Sequence, residues 1–206
     1  MTPFTVLTST AVPLSEANVD TDIILPARFL LITEKAGLGR YAFYERRFDA
    51  ADQPKPGFAL NDPSYAGAQI MVAGENFGCG SSREQAVWAL ADLGLRCIIA
   101  PSFGEIFAAN CLRNGMLALA LPEAEVAALI DDARSGRAIT VDLERCSVVG
   151  GDGRATPFVI AEADRTALLN GWDEIARIAA LHGPAIAAFE AKQQQTQPWL
   201  WSARHA

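Results

Sequence analysis

The clearest pattern lies in the middle of the chain, where short apolar runs alternate with segments of helical period. Residues 68–73, 97–100 and 116–121 are apolar runs of strand length. Between the first two, residues 82–93 place Ala86, Val87, Leu90 and Leu93 on one helical stripe, and Gly94 supplies a stop. Both Ser81…Glu84 and Ser82…Gln85 fit the capping box that opens a helix. Residues 103–113 read as a second helix ended by Asn114-Gly115. Residues 122–135 read as a third, with Pro122 at its start and Gly136 at its end.

This β-α-β-α-β-α order predicts an α/β domain with parallel central strands flanked by helices. The flanks are less regular. Residues 4–25 carry β-rich segments broken at 15–22, and 49–65 are rich in Pro, Gly, Asp and Asn. A connection of that length is often functional, and residues 36–65 are expected to be mobile until a partner docks. Residues 138–143, 147–149 and 156–160 read as strands, the last two joined through Gly150-Gly151-Asp152-Gly153. Residues 162–192 read as helical, with breaks at Gly171 and Gly183-Pro184. The organisation is one domain over 1–192 and a flexible tail over 193–206.

Composition narrows the classes. The chain has 206 residues, half of them hydrophobic, enough for a real core. No apolar stretch approaches the roughly 20 residues of a spanning helix. The start has no basic, apolar leader, so a cytoplasmic protein is expected. With 17 Lys+Arg against 24 Asp+Glu the formal net charge is −7, and no basic block offers a footprint for nucleic acid. Cys79, Cys97, Cys111 and Cys146 are widely spaced with no C-x-x-C, so a metal or iron–sulfur site built from this chain alone is not expected.

Chemistry concentrates at Gly78-Cys79-Gly80-Ser81-Ser82-Arg83-Glu84. Small residues let a backbone approach a ligand closely. The start of a helix presents unpaired N–H groups and the positive end of its dipole. Arg83, in the first turn, is out of place there unless it answers a negative group, either an anionic ligand or Glu84. The arrangement points to an anionic small molecule with a hydroxyl beside it, although a plain Ser N-cap with a surface Arg fits the same residues. The turn matches neither the phosphate loop nor the hydrolase elbow. Asn18-Val19-Asp20-Thr21-Asp22 fails the calcium-loop pattern and reads locally as a turn followed by a strand.

Taken together, residues 18–29 (NVDTDIILPARF), 74–84 (GENFGCGSSRE), 99–110 (IAPSFGEIFAAN), Leu60-Asn61-Asp62-Pro63 and 185–193 (AIAAFEAKQ) resemble the small-subunit family of bacterial 3-isopropylmalate dehydratases, within the aconitase superfamily. The resemblance implies the aconitase-type swivelling β/α domain. It also implies half of a heteromeric hydro-lyase that interconverts 2- and 3-isopropylmalate in leucine biosynthesis. The partner large subunit would carry a [4Fe–4S] cluster, and none would be bound by this chain alone.

By matching position, Ser81 would be the catalytic base acting as an alkoxide. Ser82 would help to hold the substrate, Arg83 would pair with a substrate carboxylate, and Lys35 would be a further substrate-facing cation. The segment 30–44 would shape the pocket for the alkyl group. Cys79 is assigned no chemical step. Gln85 stands where the motif usually has His, and residues 171–181 differ from the usual tail. Sister enzymes act on methylated diacids such as citraconate, 2-methylmalate or dimethylmalate, so these remain alternatives, as does a non-catalytic anion-binding module.

Overall fold

The computed structural model describes residues 1–80 and 83–201. Four strands, β2 (Ala11–Leu14), β3 (Ile70–Ala73), β4 (Cys97–Ala100) and β5 (Leu117–Ala120), form a parallel sheet in that order. The three apolar runs of the middle region are β3, β4 and β5. β2 joins them at the edge, paired with β3 through Ala11↔Ile70 to Leu14↔Ala73. The sheet is covered on both faces, which is why its central strands read as continuous apolar runs. Met71, Ala73, Ile98 and Ala100 face one core, whereas Ile70, Val72, Cys97 and Ile99 face the other.

The second sheet is antiparallel in the order β1 (Val6–Ser9), β6 (Ile139–Asp142), β7 (Ser147–Val149) and β8 (Ala155–Pro157). The glycine-rich hairpin turn expected at 150–153 joins β7 to β8. Only Thr10 separates β1 from β2, so one extended segment serves both sheets.

Seven α-helices complete the fold among the described residues: α1 (Thr21–Ile24), α2 (Tyr44–Arg47), α3 (Glu84–Asp92), α4 (Glu105–Arg113), α5 (Glu123–Arg134), α6 (Glu162–Asn170) and α7 (Glu174–Thr196). The stripe predicted for α3 is its buried face, with Ala86, Val87 and Leu90 inaccessible. Its two capping boxes start at Ser81 and Ser82, which lie outside the described residues.

Three local readings are corrected. Arg83 occupies the N-cap of α3 in an extended conformation, one residue before the first turn. The turn at 18–20 leads into a helical turn, because the Asp20 carboxylate accepts from the Ile23 N–H at 2.7 Å and Ile24 is drawn into the core. Gly171 does end α6 in a left-handed conformation, but Gly183-Pro184 does not interrupt α7. A proline inside a helix removes one backbone hydrogen bond and crowds the carbonyl four residues back, and its ring also crowds the Cβ and N–H of the residue before it. Glycine at 183 has no Cβ, and none of α7 is buried, so the helix tolerates the missing bond.

The long segment between β2 and β3 is anchored at several points. Leu38, Ala42 and Phe43 are fully buried. Arg47 donates to the Gly39 and Ala42 carbonyls and to Asn61 Oδ1, and burial pulls its pKa down. Residues 49–57, by contrast, are exposed throughout. Among the described residues no helix is long and apolar enough to cross a membrane.

Candidate active site

The segments leaving β2, β3 and β4 meet beyond the carboxyl ends of those strands, where open parallel sheets place their ligands. Each of the three carries one of the sequence motifs, and each is strapped to its neighbour. The Asn18 N–H donates to the Glu75 carbonyl at 2.8 Å, the Gly78 N–H to Val19 at 2.7 Å, and the Thr21 N–H to Cys79 at 3.0 Å. On the other side the Phe77 N–H donates to the Ser102 carbonyl at 3.1 Å and the Gly104 N–H to Phe77 at 2.9 Å. Asn76 fastens the corner: its side-chain amide donates to Asn18 Oδ1 at 2.8 Å, and its backbone N–H to Ser102 Oγ at 2.9 Å.

Two glycines make this approach possible. A Cβ on Gly78, whose φ is +72°, would lie 2.2 Å from the Phe107 ring. A Cβ on Gly104 would lie 2.4 Å from the Gly78 carbonyl oxygen. Phe77 and Phe107 meet edge to face beneath the turn, with ring centroids 5.5 Å apart. The turn is therefore a rigid backbone platform, which is what a catalytic constellation needs beneath it.

Ser81 and Ser82, the residues matched to base and substrate contact, lie outside the described residues. The side chain of Arg83, only 19% exposed, forms an ion pair with Asp22. The negative group that its position demands thus comes from the chain itself, from the Asp20-Thr21-Asp22 segment, and not from Glu84. The failed calcium pattern gives no hint of this role for Asp22. The tertiary fold supplies it: a backbone bridge between Asp20 and Cys79 carries Asp22 to the same turn.

Glu84 is engaged elsewhere. Its Oε1 accepts from Asn114 Nδ2 at 2.8 Å and from the Trp88 indole N–H at 3.3 Å. Lys35 belongs to the same group. Its Nζ donates to Asn114 Oδ1 at 3.0 Å and sits 4.7 Å from the centroid of the Trp88 ring. Lys35 therefore adjoins the helix start that carries Arg83, linked to it through Asn114 and Glu84. In the sequence Asn114 marks only a helix stop, and nothing local points to its side chain.

The cysteines do not form a cluster site. Cys97 and Cys111 are buried in the core and their thiols are pushed up by burial. Among the described residues no three His, Cys, Asp or Glu side chains gather as metal ligands would. A [4Fe–4S] cluster needs three or four grouped thiolates, and the described residues do not present such a group.

A parallel sheet of this topology, with a glycine-strapped turn and a guarded arginine at its carboxyl edge, defines a domain of the aconitase C-terminal class. The family model for the aconitase C-terminal domain matches residues 1–124. A second family model, for the C-terminal domain of the 3-isopropylmalate dehydratase small subunit, matches residues 181–201. The 3-isopropylmalate dehydratase small subunit of Rhodospirillum centenum is 48% identical over 201 residues, covering 97% of this chain and 98% of that protein. That of Dinoroseobacter shibae is 47% identical over 202 residues, covering 97% and 100%. In fold, the chain resembles a crystal structure of 3-isopropylmalate dehydratase from Methanocaldococcus jannaschii. The TM-score is 0.63 at 24% identity, over 91% of this chain and 99% of that one. The chain belongs to the 3-isopropylmalate dehydratase small-subunit family.

Proposed function

We propose that this chain is the small subunit of a heteromeric hydro-lyase, active only with its large subunit. The enzyme isomerises 2-isopropylmalate to 3-isopropylmalate by removing water and adding it back in leucine biosynthesis. The observation that carries this reading is near-full-length similarity to named small subunits, combined with the convergence of all three motif segments on the turn that leads to Arg83. The reaction belongs in the cytoplasm and involves neither nucleic acid nor membrane.

In this reading the large subunit would hold the [4Fe–4S] cluster, which would supply Lewis-acid chemistry for loss and return of the substrate hydroxyl. The small subunit supplies the proton chemistry and the recognition. Ser81 takes the substrate C–H proton and returns it. An ordinary hydroxyl is a poor base, so its anion needs a positive field. The α3 N-terminus and the Arg83 guanidinium provide one. Arg83 presents a planar fork suited to a carboxylate, Ser82 holds the substrate beside it, and Lys35 adds a second cation.

The test is anaerobic reconstitution of this chain with its large subunit, followed by assays with isopropylmalate, citraconate, 2-methylmalate and dimethylmalate. Turnover of isopropylmalate, with much slower turnover of the methylated diacids, is expected. Preference for a methylated diacid would reassign the substrate. A reconstituted, cluster-loaded complex that turned over none of them would remove the enzyme reading.

A further inference from the structure

We infer that Asn114 is a positioning residue for the substrate-facing cation, holding Lys35 in register with the helix start that carries Arg83. The inference rests on the proposed role of Lys35 in substrate binding.

Lys35 lies in an exposed stretch between two short helical turns, and nothing local orders a four-carbon side chain there. Such a side chain gives up considerable rotamer freedom when it is fixed. Two contacts fix it: the Asn114 side-chain oxygen at 3.0 Å and the face of Trp88 at 4.7 Å. The other half of the Asn114 amide, Nδ2, reaches Glu84 Oε1 at 2.8 Å. A carboxamide is the side chain that can do both at once, accepting from an ammonium and donating to a carboxylate.

Asn114 is itself held. Its Nδ2 also lies 2.9 Å from the Asn110 carbonyl, and its backbone N–H donates to Asn110 and Cys111 at the end of α4. The amide thus stands on the end of α4, where Asn110 and Cys111 are buried, and sets the distance between Lys35 and the first residue of α3. Trp88 supports the same geometry from the second turn of α3, with its indole N–H on Glu84 and its face under Lys35. The three parts of the chain brought together here, near residues 35, 84–88 and 114, are far apart in sequence. Their alignment is a property of the tertiary fold.

The experiment uses the reconstituted two-subunit enzyme with Lys35→Ala, Asn114→Ala, Asn114→Asp and the Lys35→Ala/Asn114→Ala pair. Loss of one charge-assisted contact that orders a binding cation predicts a KM raised roughly five- to tenfold by Asn114→Ala, with kcat within about twofold. The double variant should be no worse than Lys35→Ala alone, because the two act as one unit. Asn114→Asp keeps an acceptor for Lys35 but sets a carboxylate against Glu84 Oε1 and the Asn110 carbonyl, so it should recover little of the lost KM.

If Lys35→Ala raises KM but Asn114→Ala leaves it unchanged, the positioning role is overturned. The same holds if the two losses add, or if a folded Asn114→Asp enzyme keeps the wild-type KM, since register with α3 would then not need the amide. If Lys35→Ala itself leaves KM unchanged, the substrate role of Lys35 fails and this inference falls with it. Should Asn114→Ala fail to assemble, the Asp variant decides: a KM raised several-fold supports the role, and a wild-type KM overturns it.

Discussion

Arg83 and Asp22, sixty-one positions apart, form an ion pair at the mouth of the glycine-strapped turn. The arginine side chain is largely covered and the aspartate half exposed. A guanidinium at the N-cap of α3 faces the positive end of that helix, so an unpaired side chain would swing away. Asp22 opposes that tendency and keeps the fork over the turn. With five donors, the guanidinium can hold Asp22 and still offer N–H groups to a substrate carboxylate.

Weakening this pair should therefore be felt in binding. Asp22→Asn is expected to raise KM several-fold with little change in kcat, while fold stability changes by less than about 1 kcal/mol because the pair is partly exposed. Arg83→Lys should be worse, lowering kcat/KM by about 10- to 100-fold, since a point charge cannot reproduce a bidentate fork. Steady-state kinetics on the reconstituted enzyme checks both. An Arg83→Lys enzyme with wild-type kinetics would mean that the fork never meets the substrate.

Ser81→Ala removes the proposed base. A general base typically contributes about 10²- to 10⁴-fold, so kcat should fall by that order while the substrate still binds. Isotope exchange at the substrate C–H should be lost in parallel. Retained exchange would transfer the role to another group.

The turn should be intolerant of a methyl group where the backbones meet, and the exposed helix tolerant of one. Gly78→Ala and Gly104→Ala place a Cβ 2.2 Å from a ring and 2.4 Å from a carbonyl oxygen. Each should cost roughly 1–3 kcal/mol by overpacking, with a further penalty at Gly78 for its positive φ. Gly183→Ala meets no atom of another part of the chain within 4 Å, and although its Cβ would crowd the Pro184 ring, that cost stays within the exposed α7, so global stability should change by less than about 0.5 kcal/mol. Thermal denaturation of the three variants tests the contrast.

Burial holds the thiols of Cys97 and Cys111 in their neutral form well above the ordinary range. In the unfolded chain they ionise near pH 8.5. Above that pH the unfolded state loses protons that the folded state keeps, so stability falls as pH rises, by about 1.4 kcal/mol per unit for each thiol. Chemical denaturation at pH 7 and pH 10, compared between wild type and the Cys97→Ala/Cys111→Ala variant, should show a shallower decline in the variant. At pH 8, alkylation should reach Cys79 and Cys146 and spare the buried pair.

Hydrogen exchange should divide the long segment before β3 into two parts. Amides of Leu38, Ala42 and Phe43, buried and bonded to backbone carbonyls, should exchange slowly. Those of 49–57 should exchange fast in the free subunit and slow when the large subunit docks. Uniform protection across 36–65 in the free chain would contradict a partner-ordered loop.

The regular elements and the identity of the turn are legible in the amino-acid order alone. Continuous apolar runs at β3, β4 and β5 announce a sheet buried on both faces. The stripe of α3 and the stops at Gly94, Gly115 and Gly136 are local signals that reach no further than one helical turn. The motif Gly-Cys-Gly-Ser-Ser-Arg likewise carries its own backbone requirements. Tertiary contacts, by contrast, settle which group answers Arg83, what holds Lys35, and how residues 6–14 divide between two sheets. Those outcomes depend on contacts between residues 61 and 79 positions apart and on strand registers spanning much of the chain. Periodicity and propensity describe a residue and its near neighbours, whereas a polar side chain takes the partner that folding brings within reach. Asp22 and Asn114 are ordinary turn and cap residues in the sequence, and they become site residues once β2, α3 and α4 are set side by side.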